Sequence, residues 1–106
     1  MRHQLIKRKK MEVKKTTAQI QLVKGEFTPS QASEVVIPLI SYKINYHKLD
    51  GIEKWEKNHK TDQEPIKKRI DELKNEKKKA EAFFSEMKKE GKKLKIDGIL
   101  NITIID

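Results

Sequence analysis

The chain has no cysteine, which removes disulfide frameworks, thiolate metal sites and cysteine nucleophiles at once. Aromatics are scarce at 6%, and hydrophobic residues reach 35% against 39% Asp, Glu, Lys and Arg. That balance argues against a thick globular core and for an element with one buried seam and much solvated surface. No apolar run approaches the roughly 18 residues that span a bilayer. The basic N-terminus has no apolar stretch behind it of the kind a signal peptide carries. A reducing, cytoplasmic setting is the expectation.

Further absences bear on chemistry. The 4 glycines are scattered rather than gathered into a phosphate loop. The serines, Ser30, Ser33, Ser41 and Ser85, stand in no elbow-type motif. His3, His47 and His59 share no ligand spacing with each other or with nearby carboxylates. The carboxylates alternate with lysines on helical faces, where none is poised for proton transfer. No catalytic residue, cofactor site or metal ligand is therefore expected, and the chain does not read as an enzyme.

What is there is charge and periodicity. The net charge is +9, unevenly spread. Residues 1–15 form a basic arm, residues 16–59 balance to zero, residues 60–95 are basic, and residues 96–106 are slightly acidic. Met11 offers an alternative start that would make the first ten residues an extension. From Thr28, the spacing predicts two long helices folded back on each other, over about 28–59 and 62–91. Thr28, Pro29 and Gln31 form the start of the first, with a capping box and proline at the first helical position. Pro38 lies inside it and should bend it. The apolar stripe of the second is Ile66, Ile70, Leu73, Lys77, Ala80, Phe84, Met87 and Gly91, in the alternating steps of a heptad seam. Gly91 is a suitable stop. Glu64 with Lys68, Asp71 with Lys74, Glu76 with Lys79 and Glu86 with Lys89 stand at helical pair spacing.

The first helix carries two stripes. One is Val35, Leu39, Tyr42, Tyr46 and Leu49; the other is Ile37, Ile40, Ile44, His47, Gly51 and Trp55. With the turn centred near residue 61, the first stripe faces the second helix. Leu73 then meets Leu49, Ile70 meets Ile52, Ala80 meets Tyr42 and Met87 meets Val35. Ile66 meets Trp55 or Glu56, and Lys77 meets Asn45 or Tyr46. The second stripe is left for another cover.

Residues 16–24 alternate apolar and polar as a half-buried strand does, and residues 94–105 form a second strand interrupted at Gly98, where a bulge is expected. The two should pair antiparallel, Leu22 near Ile96. The fold class is thus α+β, mostly α: a long antiparallel helical hairpin flanked by an N-terminal and a C-terminal strand, with residues 16–106 one β-α-α-β domain. The functional expectation is a small structural or interaction module that forms a homodimer or binds another protein. Ile37, Ile40, Ile44, Trp55, Ile99 and Ile105 are its candidate self-association residues. The alternative is a basic nucleic-acid binder. It would use Arg2, Lys7, Arg8, Lys9 and Lys10 of the arm with Lys77, Lys78 and Lys79 of the second helix.

Overall fold

The structure, a computed structural model, describes residues 17–106; the basic arm and its five candidate contacts lie outside the described residues. Element order is β1 (Thr17–Phe27), α1 (Pro29–Lys57), α2 (Glu64–Lys89) and β2 (Leu94–Thr103). The α+β, mainly α architecture follows directly: two helices packed on each other and two antiparallel strands in one sheet. Two compact units result, a hairpin of Phe27–Leu94 and a ribbon that holds Thr17–Glu26 and Lys95–Asp106.

In the hairpin, α1 starts where its sequence signals say. Thr28 Oγ1 accepts from the Gln31 N–H at 3.1 Å, and Gln31 Oε1 accepts from the Thr28 N–H at 3.0 Å. This reciprocal pair satisfies two donors near the start of α1. The helix runs on through Pro38 to Lys57. It ends at Asn58, whose side-chain oxygen accepts from the Lys60 N–H, while the Thr61 hydroxyl reaches back to the carbonyls of Asn58 and Lys54. These bonds fold Thr61 onto the last turn of α1, and the chain reverses in a tight turn over Asn58–Thr61, closed by the Thr61 N–H donating to Asn58 O at 2.9 Å. Asp62 then accepts from the Glu64 N–H and starts α2.

The register differs from one centred on residue 61. A side chain on Gly51 would lie 3.3 Å from Ile66 Cγ2 and 3.2 Å from Gln63 Oε1, so Gly51 faces Ile66 and the bare backbone permits the approach. Stepping outward from that contact by threes and fours places His47 opposite Ile70, Ile44 opposite Leu73, Ile40 opposite Lys77, and Ile37 opposite Ala80. Leu73 therefore meets Ile44, not Leu49, a shift of five residues. Ile44 is 6% exposed and Leu73 8%, whereas Leu49 is 67% and Tyr42 72% exposed. The two stripes of α1 have exchanged roles. The aliphatic one, ending in Gly51, enters the seam; the one bearing two phenol hydroxyls stays in water, where those hydroxyls find partners at no cost.

On α2 the predicted seam holds: Ile66, Ile70, Leu73, Lys77, Ala80, Phe84 and Met87 are its buried or half-buried positions. The helix closes with the Lys92 N–H bonded to Met87 O and the Gly91 N–H to Lys88 O, and Gly91 at φ 66°. This is a Schellman turn, which needs a residue tolerant of left-handed backbone. Gly91→Ala is expected to destabilise the hairpin by about 1–2 kcal/mol, though nothing lies within 4 Å of its Cβ position; thermal unfolding followed by helix circular dichroism measures it. Of the anticipated ion pairs on α2, Glu76 with Lys79 is present at 3.9 Å, and Arg69 pairs with Glu72 at 3.4 Å. Both are solvated and contribute little.

In the ribbon, β1 runs three residues longer than its alternation suggested, through Gly25 to Phe27. Gly98 lies against Val23, with a Cβ on Gly98 3.8 Å from Val23 Cβ, so the stretch of β1 around Leu22 lies against Asp97 and Gly98 of β2. β2 runs from Leu94 to Thr103 through Gly98. Gln21 Nε2 donates across to Asp97 Oδ1 at 2.8 Å and ties the strands together. Half-buried positions alternate as Val23, Gly25 and Phe27 on β1 and Leu94, Ile96 and Gly98 on β2.

Candidate functional site

The outer face of α1 is the most distinctive surface of the hairpin. Leu39, Tyr42, Tyr46 and Leu49 follow one another at steps of three, four and three, which aligns them along one face of a 3.6-residue helix. At 100° per residue, that face lies about half a turn round the helix from Ile37, Ile40, Ile44 and Gly51, which hold the seam. All four outer residues are exposed. The stripe is contiguous, amphipathic and opposite the partner helix, so burying Ile44 does nothing to cover it.

Its sequence has a symmetry. Leu-x-x-Tyr-x-x-x-Tyr-x-x-Leu reads the same in both directions. A helix presenting such a face is complementary to its own antiparallel copy, because a twofold axis beside residue 44 brings Leu39 onto Leu49 and Tyr42 onto Tyr46 of the other chain. The charges along α1 balance, with Glu34, Asp50, Glu53 and Glu56 against Lys43, Lys48, Lys54 and Lys57. Two are held locally, Asp50 with Lys54 at 3.2 Å and Glu53 with Lys57 at 3.8 Å. Lys43 lies over the Tyr46 ring, 4.9 Å from its centre. A copy of α1 can thus approach another without net repulsion.

The sequence-derived candidates are placed differently. Ile44 is buried in the seam, and Ile37 and Ile40 are half-buried on the same side. They lie on the face of α1 that Gly51 turns to Ile66 of α2, and none of the three is fully exposed. Trp55 is exposed near the end of α1, its ring stacked on His59 at 4.1 Å. Ile99 is exposed, and Ile105 is 91% exposed. The ribbon presents Ile20, Leu22, Leu100, Ile102 and Ile104 as well. Among the described residues each strand has one neighbour only.

Lys77, Lys78 and Lys79 do not all share one surface: Lys77 and Lys78 line a groove beside α1, and Lys79 points elsewhere. Lys77 is half-buried in the seam, Lys78 is exposed, and Lys79 is paired with Glu76. Among the described residues no cluster of His, Asp and Glu has the arrangement of a metal site. Nor is any helix among them long and apolar enough to cross a membrane. His47 Nε2 and Gln63 Nε2 are buried without a hydrogen-bond partner; Gln63 stands beside Gly51 and His47 one turn away. Sequence spacing could not reveal either, because both depend on the register. No known protein family, curated protein or solved structure matches the chain.

Proposed function

We propose that the chain is a small non-enzymatic interaction module that pairs with a second copy of itself through the outer face of α1. The observation that carries this reading is the palindromic stripe Leu39, Tyr42, Tyr46 and Leu49, exposed on the side of α1 away from α2. A contiguous apolar stripe of this kind on a small chain marks an interaction surface. The mirror order of its side chains fits an isologous antiparallel contact better than an unrelated partner. Tyrosines suit such a face: the rings bury area while the hydroxyls reach the wet rim. The exposed apolar residues of the ribbon are a second surface open to strand pairing between copies.

The experiment is the molar mass in solution. Light scattering at micromolar concentration is expected to give twice the 12.5 kDa chain mass, falling toward the single-chain value on dilution. A single-chain mass that does not change with concentration would remove this reading.

A further inference from the structure

A furrow between α1 and α2 runs along one side of the hairpin and changes character along its length. Near the helix connection it is an open apolar groove of about 620 Å³. Ile52 and Trp55 form one bank, Ile66 and Ile70 the other, and Gly51 the floor. A second groove of about 450 Å³ holds Ser41 and Asn45 on α1 and Lys74, Lys77 and Lys78 on α2. Lys48 lines both grooves and marks where they meet. Ser41, Asn45, Lys48, Ile52 and Trp55 follow at steps of four and three, so they share one face of α1. It is a different face from the palindromic stripe.

The two halves ask for different things. In the basic half, Lys48, Lys74, Lys77 and Lys78 surround a single carboxylate, Glu81. Among the described residues none of these four lysines lies within ion-pairing distance of an acid. Lys77 is also half-buried, which makes an unpaired ammonium there costly. In the apolar half the rim carries Lys67 and Glu56, and the buried Gln63 amide nitrogen has no acceptor.

We propose that this furrow binds a single-chain anionic amphiphile. The apolar chain lies on Ile52, Trp55, Ile66 and Ile70, and the anionic head sits among Lys48, Lys74, Lys77 and Lys78. A small anion alone leaves the apolar groove bare. A neutral hydrocarbon leaves four lysines with a single carboxylate, Glu81, among them. Only a molecule with both parts answers both halves.

Trp55 is the only tryptophan of the chain and lines the groove, so its emission reports occupancy. The full chain is titrated with decanoate below its micellar concentration, and with decanol and acetate as controls lacking the head or the tail. A saturable change is expected with decanoate, with decanol and acetate at least about tenfold weaker, the scale of one charge-assisted hydrogen bond. The double variant Lys74→Glu with Lys78→Glu should weaken decanoate at least about tenfold and leave decanol unchanged. Ile52→Glu should abolish both. These positions are exposed, and helix circular dichroism confirms that each variant folds. A non-saturating response, equal binding of decanol and decanoate, or indifference to the lysine changes would overturn the proposal. So would a short oligothymidylate that shifts Trp55 emission where decanoate does not, since the furrow would then be a nucleic-acid site.

Discussion

Leu73→Ala is expected to lower the unfolding free energy by about 2–4 kcal/mol, the usual cost of truncating a buried leucine. Leu49→Ala should cost less than about 0.5 kcal/mol under the same conditions, as exposed substitutions do. The contrast arises because Leu73 is 8% exposed against Ile44, while Leu49 points away from α2. Ala32, Ile44 and Leu73 are the buried apolar residues of the described chain, so deleting Leu73 removes a large part of the core. Ile44→Ala should be comparably costly. The pair should also couple, with the double variant departing from additivity by about 0.5–3 kcal/mol, as contacting residues do. Urea denaturation followed by circular dichroism measures the parent and the four variants, at concentrations low enough to keep them single. A Leu49→Ala loss as large as that of Leu73→Ala would mean that the other stripe of α1 fills the seam.

The same residues show where sequence was legible and where it was not. The α2 stripe was fully readable because, Phe83 aside, its large apolar residues lie on one side, and a heptad pattern with one solution fixes a face. The α1 start and the α2 stop were readable because capping is local chemistry between residues three to five apart. The register was not, because it depends on where the connection reverses. The Asn58–Thr61 turn is held by the Asn58 side chain accepting from Lys60 N–H and by the Thr61 hydroxyl bonding to Asn58 O and to Lys54 O of α1, and periodicity carries no trace of these bonds. With two apolar stripes on α1, the turn position decided which was covered. A signal was present in composition: Ile37, Ile40, Ile44 and Gly51 bring three aliphatic side chains and a glycine, while Tyr42 and Tyr46 bring hydroxyls that favour water. The end of β1 was also illegible, because the apolar–polar alternation stops at Lys24 while the strand continues through Gly25 to Phe27. The apolar-to-basic furrow lay out of reach entirely, since it joins residues of two helices whose register was unknown.

Charge exchange across the palindrome gives the most direct test of self-association. In the antiparallel contact Leu39 of one chain meets Leu49 of the other, and the twofold axis makes every substitution appear twice. Leu49→Lys alone should buries two ammonium groups against leucine and weaken the dimer by about a hundredfold or more, since each unpaired buried charge costs several kcal/mol. Leu39→Glu alone should do the same with carboxylates. The double variant, Leu39→Glu with Leu49→Lys, places each glutamate beside a lysine of the other chain at both ends of the contact. It should recover at least about tenfold of the lost affinity, the measured scale of close charge pairs across an interface. A parallel arrangement would instead set glutamate against glutamate and lysine against lysine, and the double variant would then be the weakest of the three. Because Leu49 is 67% exposed in the single chain, these changes leave the hairpin seam intact, and unfolding midpoints measured at high dilution should stay close to the parent's. Sedimentation equilibrium over a range of concentrations ranks the four chains. Equal dimer constants for all of them would exclude the outer face of α1 as the contact and leave the exposed ribbon as the surface through which copies meet.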